Sequence, residues 1–184
     1  MRQAVLTVLC MAAVLASPVA RAEIQQTPNP GCGDGCVATW PRITLPANWK
    51  QDTATSLKDN IDFIVPDDQA LGDTTVFIYA NASLDSGDKL DDFVISDMTG
   101  FYRDDPDLKT TQLPDLTTAD GQALQVYSFD PGKPGGRWEA AAYGEETAPD
   151  GSHYFLTFVI SAVDQAHRDD NMGAFRGVIL NYRK

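Results

Sequence analysis

The stretch that decides the fold is SHYFLTFVISAVDQAHRDDNMGAFRGVILNYRK, residues 152–184. Its first part, residues 153–160, is a run of β-branched and aromatic residues that is typical of a buried strand. After a turn at Val163 and Asp164, apolar residues recur every three or four positions, as on one face of a helix. The pattern therefore predicts a central strand and a helix that covers it, with a helix stripe of Met172, Phe175, Val178, Ile179 and Tyr182.

The sequence upstream predicts further strands and one more helix. Residues 74–80 (TTVFIYA) form an almost continuous apolar run, which indicates a strand covered on both faces. Apolar residues at steps of three and four predict a helix over residues 89–103. The candidates for the N-cap of this helix are Asp85, Ser86 and Asp88. The other predicted strands lie at residues 40–46, 60–66, 110–113, 122–129 and 137–144, and residues 51–59 are polar without a clear pattern.

Together these elements predict one α+β domain over residues 40–184. The connections in its second half are too short for parallel crossovers, so we expect a mostly antiparallel sheet of six or seven strands. Because two of the strands are apolar on both faces, the two helices are expected on opposite faces of the sheet. The predicted architecture is therefore an α/β/α sandwich.

Residues 1–22 have the features of a Sec-type signal peptide. Arg2 supplies the positive end, residues 4–16 supply the apolar core, and Ala20-Arg21-Ala22 is a small-x-small cleavage site. We therefore expect a bacterial protein that is periplasmic or secreted, without membrane insertion.

The charge of the chain limits its partners. Removal of residues 1–22 leaves 12 basic and 26 acidic residues, a net charge of −14. Such an excess repels nucleic acid and anionic membranes, so neither is an expected partner. It suits a solvated surface, a basic protein or a cation. The sequence gives no indication of oligomeric state.

Aspartates form two clusters, at residues 85–92 and 104–107. Calcium needs six to eight oxygen ligands at close range, and neither cluster has the D-x-D-x-D-G order of a calcium loop. We therefore predict no metal site and no cofactor, with a weak cation site as the alternative.

Two cysteines remain after export, Cys32 and Cys36 in GCGDGC. Outside the cytoplasm, a close and even pair predicts a structural disulfide, here within a flexible arm over residues 23–39. A redox-active pair is an alternative interpretation, although no helix start is predicted that would lower a thiol pKa. Free or metal-binding thiols are the third interpretation.

Four segments in this order resemble the PsbP-like α/β/α superfamily: ITLPANW, VFIYAN, KLDDFVISDMTGFYR and YFLTFVISAVDQAHRDDNMGAFRGVILNYR. The resemblance covers residues 40–184 and consists of apolar patterns. It implies a fold that is used mainly for non-enzymatic binding, such as partner docking or assembly assistance. It carries over no functional residue.

No catalytic motif is present in the sequence. The serines lack a G-x-S-x-G setting, and no phosphate-binding glycine motif occurs. We therefore expect a binding or accessory domain rather than an enzyme, with a periplasmic hydrolase that uses His153 as general base as the alternative.

The expected partner is another protein, for which a basic charge is one option, and an inhibitor or immunity protein is one concrete form of this role. Tryptophan and arginine are enriched at the hot spots of protein interfaces. The candidate partner-binding residues are therefore Trp40, Trp49, Arg137 and Trp138, although each tryptophan also fits a core position.

Overall fold

The computed structural model describes residues 24–183 except residues 30, 32, 34 and 149. The predicted signal peptide lies outside the described residues. None of the helices in the described part of the chain is long and apolar enough to span a membrane. In chain order the elements are β1 (Ile24–Pro28), β2 (Val37–Pro41), β3 (Trp49–Gln51), α1 (Thr53–Asp59), β4 (Asp62–Pro66), β5 (Val76–Leu84), α2 (Leu90–Asp104), β6 (Lys109–Thr117), β7 (Ala123–Asp130), β8 (Trp138–Thr147), β9 (His153–Ala162) and α3 (Gln165–Leu180).

Seven of the strands form one sheet in the order β3-β4-β5-β9-β8-β7-β6. Every neighbouring pair in this sheet is antiparallel. Strands β1 and β2 form a separate antiparallel pair. The predicted α+β class and the seven-stranded antiparallel sheet are therefore confirmed, and β9 lies at the centre, as its apolar sequence indicates.

Helices α2 and α3 pack on opposite faces of the sheet. Successive side chains of a strand point to opposite faces, so even and odd residues of β9 belong to different layers. Leu156 and Phe158 pack in one buried cluster with Phe175 of α3. Val159 belongs to a second cluster with Val94 of α2. This arrangement confirms the predicted α/β/α sandwich.

The predicted arm contains regular structure. Residues 24–28 and 37–41 pair as β1 and β2, and Ile24 packs against the main core cluster. The sequence does not predict this pairing, because these residues show no periodicity and each short strand is stabilised by hydrogen bonds to the other; the flexibility of the arm stays a prediction. Cys36 is disulfide-bonded. Cys32 lies outside the described residues, so the Cys32–Cys36 pairing stays a prediction.

One local prediction was wrong, since the strand predicted at residues 40–46 ends at Pro41. Residues 53–59, for which the sequence shows no clear pattern, form α1. Tertiary contacts explain α1, since Asp52 accepts a hydrogen bond from Thr55 N and the buried Ser56 Oγ accepts one from Phe63 N. A seven-residue helix fixed by such contacts has no apolar period to detect.

Helix α2 confirms the prediction over residues 89–103 to within one residue at each end. Its N-cap is Lys89, without a side-chain cap, so the prediction of Asp85, Ser86 or Asp88 as cap was wrong. Asp85 instead accepts hydrogen bonds from the backbone N–H groups of Gly87 and Asp88, which forms the turn before the helix.

Candidate functional site

The two faces of β4 and β5 differ in how far they are covered. Ile64, Ile78 and Ala80 point to the α3 face and are fully buried. Their neighbours Phe63, Phe77 and Tyr79 point to the α2 face and remain partly exposed. The α2 face therefore presents half-buried aromatic rings at one end of the sheet.

These three rings form a cluster, here called the aromatic trio (Phe63, Phe77 and Tyr79). The ring centroids of Phe63 and Phe77 are 5.9 Å apart, and those of Phe63 and Tyr79 are 5.8 Å apart. Phe77 and Tyr79 complete the triangle at 6.2 Å. Such spacings are in the range at which aromatic pairs attract each other, so the trio is a defined surface rather than three isolated side chains.

Strand register places polar residues, Ser161 and Glu139, beside Phe77 of the trio. Glu139 of β8 pairs with Ser161 of β9, which pairs with Phe77 of β5. Ser161 Oγ donates a hydrogen bond to Glu139 Oε1. Arg137 Nε donates to Ser161 Oγ at 2.7 Å, and Arg137 Nη2 donates to the Ser161 carbonyl oxygen at 2.9 Å. The guanidinium carbon of Arg137 lies 4.6 Å from the centroid of the Phe77 ring, in cation–π range.

Helix α2 brings a second carboxylate to this surface. The buried Tyr143 of β8 donates its hydroxyl to Asp97 Oδ2 at 2.7 Å. Phe93, one turn earlier, stacks on Phe155 with centroids 4.6 Å apart, which fixes the helix on the sheet. Asp97 is therefore a half-buried carboxylate whose position is fixed by the hydrogen bond from Tyr143 and by the packing of α2 on the sheet.

The acidic groups of the surface influence one another. Burial raises the pKa of Glu139, while the Ser161 hydrogen bond and Arg137 counteract this and Asp97 adds to it. Burial also raises the pKa of Asp97, and the Tyr143 hydrogen bond counteracts it. The pKa of Tyr79 is raised by burial, then by the charges of Glu139 and Asp97. The three groups therefore lie within electrostatic reach of each other.

Within the part of the chain that the structure describes, one oxygen of each of these groups has no hydrogen-bond partner. Glu139 Oε2, Asp97 Oδ1 and Tyr79 Oη make no hydrogen bond within the described part of the chain. None of the three oxygens is fully enclosed, because the only fully enclosed side-chain oxygen or nitrogen without a partner among the described residues is Gln122 Oε1. The site is therefore a patch of three aromatic rings and two carboxylates, here called the aromatic–acidic patch (Phe63, Phe77, Tyr79, Asp97 and Glu139). Its three oxygens without a partner belong to Tyr79, Asp97 and Glu139.

The four predicted partner-binding residues do not form one surface. Trp40 is 2% exposed and therefore buried. Trp49 is half-buried against the α3-face core. Trp138 lies one residue after Arg137 and so points to the opposite face, where the guanidinium carbon of Arg168 lies 5.3 Å from its ring centroid. Of the four, Arg137 is the residue that contacts the aromatic–acidic patch.

His153 lies elsewhere, at the exposed start of β9. It lines a polar cavity of about 210 Å³ together with Asp85 and Glu146. Its Nδ1 is 3.0 Å from Thr147 Oγ1, and within the described residues it has no hydrogen bond to a serine or a carboxylate. Among the described residues, His153 therefore makes neither the nucleophile–base contact nor the base–carboxylate contact of a hydrolytic triad.

Sequence reasoning predicted none of the five residues of the patch, although it predicted Arg137, which contacts them. The signal was present in α2, where Asp97 lies four residues after Phe93 and four before Phe101 and so interrupts the apolar stripe. A carboxylate at such a position needs a polar partner when the stripe is buried. The partner, Tyr143, is 46 residues away in sequence and could not be identified from spacing.

No protein-family model and no curated protein matches the sequence. In fold the chain is similar to LpqN of Mycobacterium tuberculosis, a protein involved in cell envelope biogenesis. The alignment has a TM-score of 0.53 and 18% sequence identity, and it covers 85% of this chain and 87% of LpqN. At this identity the likeness concerns the fold alone, and membership of the PsbP-like superfamily stays a prediction. The chain therefore shares an α+β fold with LpqN.

Proposed function

We propose that this chain is a non-catalytic accessory domain of the cell envelope that binds another protein through the aromatic–acidic patch. The observation that carries the proposal is the aromatic trio, which is partly exposed while Ile64, Ile78 and Ala80 on the opposite side of the same strands are fully buried. Half-buried aromatic side chains beside an arginine are the residue types that dominate protein interfaces.

Location in the envelope or outside the cell belongs to the same proposal. It is supported by the predicted signal peptide, residues 1–22, and by the fold likeness to a protein of envelope biogenesis. An exported inhibitor or immunity protein is the finer form of the proposal, supported by the mature charge of −14. Cell fractionation of the full chain and of a chain lacking residues 1–22 tests the location. Retention of both in the cytoplasm would contradict it.

The binding proposal is tested by affinity capture from envelope extracts at low and at high salt. The bait proteins are the mature wild type, Phe63→Ser and Tyr102→Ser. Tyr102 is the matched control because it is an exposed ring on α2, 41% accessible, outside the patch. We expect the wild type and Tyr102→Ser to retain the same partner and Phe63→Ser to lose it. A partner that all three baits retain equally would contradict the proposed surface.

Salt distinguishes the finer form of the proposal. Attraction between exposed charges weakens with ionic strength, so a basic toxin or hydrolase is expected to elute as salt is raised. A retained partner that is acidic, or that is insensitive to salt, would contradict the inhibitor or immunity form and leave the accessory role in place.

A further inference from the structure

We propose that the aromatic–acidic patch binds a cationic side chain of the partner, an arginine or a lysine, between Tyr79, Glu139 and Asp97. The inference rests on the proposed protein-binding function and specifies what the patch recognises. It is argued from the charge balance, the aromatic surface and the available oxygens.

The charges of the patch are not balanced. Glu139 and Asp97 supply two carboxylates, and Arg137 lies over Phe77 beside them. Lys133 lines a cavity with Glu139, but its Nζ donates to the Asp104 carbonyl oxygen. Both hydrogen bonds that Arg137 donates go to Ser161, which lies between Glu139 and Phe77 in the sheet. Asp97 has no cation among its hydrogen-bond partners within the described residues, since its contact is the neutral Tyr143 hydroxyl. The patch therefore retains an uncompensated negative charge.

The aromatic surface is already shown to accept a guanidinium. Arg137 stacks over Phe77 at 4.6 Å, so one ring of the trio carries a cation on its face. Tyr79 and Phe63 are the other two rings of the trio. Each ring centroid of the trio lies no more than 6.2 Å from the other two. A second cation over Tyr79 would be attracted by the quadrupole of the ring and by the two carboxylates, whose combined charge exceeds that of Arg137.

The available oxygens match a donor-rich cation. Glu139 Oε2, Asp97 Oδ1 and Tyr79 Oη can each accept a hydrogen bond and have none within the described part of the chain. Arginine carries five N–H donors and lysine three, with no acceptor. Hydrogen bonds to a carboxylate from such a cation are stronger than those from a neutral hydroxyl. A neutral sugar ring would stack on the rings but leave the negative charge unmatched.

The test is titration of the mature protein with N-acetylargininamide, followed by amide chemical shifts in NMR spectra. N-acetylcitrullinamide is the matched ligand, because its urea group has nearly the shape of the guanidinium without the charge. We expect shifts at Tyr79, Glu139 and Ser161 with the arginine probe, and affinity at least about tenfold weaker for the citrulline probe, as loss of a charged hydrogen bond predicts. Equal binding of the two probes, or shifts confined to other residues, would overturn the inference.

Variants separate a specific site from diffuse attraction to an acidic protein. Glu139→Gln and Asp97→Asn are each expected to weaken the arginine probe about tenfold, and Tyr79→Phe about threefold. Asp92→Asn is the matched control, because it removes the same charge from an exposed position of α2. Equal losses in Asp92→Asn and Asp97→Asn would show diffuse attraction only and overturn the inference.

Thermal unfolding of each variant shows that it is folded before it is titrated. If one carboxylate variant does not fold, the other and Tyr79→Phe carry the test. The outcome is separable from that of the proposed function: a partner whose capture requires Phe63, together with equal binding of arginine and citrulline probes, contradicts the cation site and supports the protein-binding surface. Binding of neutral chitin oligosaccharides at Tyr79 in place of the cation would likewise overturn the inference.

Discussion

The carboxylates on the two faces of the central sheet differ in burial and in hydrogen bonding. On the α3 face, Asp62 and Glu146 are 4% and 3% exposed, and each accepts a hydrogen bond from a neighbour, Gln51 or Tyr182. On the α2 face, Asp97 and Glu139 are half-buried, and each keeps one oxygen without a partner in the described residues. The first pair is almost fully buried, whereas the second pair is partly exposed to solvent or to a ligand.

The difference follows from what covers each face. Helix α3 and the residues packed with it bury nearly all side chains of the α3 face, including Leu156, Phe158 and Ile160. Helix α2 buries a smaller cluster and leaves the aromatic trio partly exposed. The α3 face is therefore expected to supply most of the stability, and the α2 face is free to carry residues that stability does not require.

The largest expected effect is loss of a core ring on the α3 face. Phe158 is fully buried and packs edge to face with Tyr182, with centroids 5.3 Å apart. We expect Phe158→Ala to lower the free energy of unfolding by about 3–5 kcal/mol, measured by urea denaturation. Phe77→Ala, on the partly exposed face, should cost less than about 2 kcal/mol because less area is buried and the site can fill with water. Equal costs would mean that both faces contribute alike.

The second prediction concerns the enclosed carboxylate of Asp62. Burial raises the pKa of Asp62 to about 6, against the hydrogen bond from Gln51 Nε2 at 2.6 Å, which lowers it. Between about pH 4 and pH 6 the folded state therefore holds a proton that the unfolded state has released, so stability falls as pH rises through this window. The loss is at most about 3 kcal/mol by neutral pH.

Asp62→Asn keeps an acceptor for Gln51 and removes the charge, so we expect it to be more stable than the wild type at pH 7.5 and equal to it near pH 4. Urea denaturation across this pH range provides the measurement. Asp67→Asn, at an exposed position just after β4, controls for the loss of one negative charge. If the free energy of unfolding of Asp62→Asn changes with pH as steeply as that of the wild type and of Asp67→Asn, the buried carboxylate is not the cause.

The third prediction concerns Glu146, the other enclosed carboxylate. The Tyr182 hydroxyl donates to Glu146 Oε2 in the core. Tyr182→Phe removes this donor and leaves the ring, so we expect a loss of about 1–3 kcal/mol in unfolding free energy. Tyr102→Phe is the control, since its hydroxyl contacts Thr110 Oγ1 at the surface and its loss should cost less than about 0.5 kcal/mol. Two variants of equal stability would show that the Glu146 contact adds nothing.

The smallest effect is expected for Glu139 on the α2 face. The pKa of Glu139 is raised, so the folded state disfavours its charged form despite the contact with Ser161 and the charge of Arg137. Glu139→Gln should therefore change the stability at pH 7.5 by less than about 1 kcal/mol, in the stabilising direction. Thermal unfolding measures it. A loss of more than about 2 kcal/mol would mean that Glu139 is a structural residue like those of the α3 face.

The elements with strong periodicity were predictable, and those that depend on contacts were not. Helix α2 and strand β9 follow from repeated apolar steps over ten residues or more. Helix α1 and strand β1 are short, and hydrogen bonds such as Asn29 Nδ2 to the Leu57 carbonyl oxygen at 2.5 Å fix their surroundings. Local pattern cannot report a contact between residues 28 positions apart.

The sequence by itself determined the class of the fold, because the alternation of β9 and the stripe of α3 specify which side chains must be buried. It also determined the acidic charge, which is a property of composition. Only the tertiary structure decided which aromatic rings stay exposed and which carboxylates meet them. The physical reason is register: Glu139, Ser161 and Phe77 come from three strands, and they become neighbours only when those strands are paired.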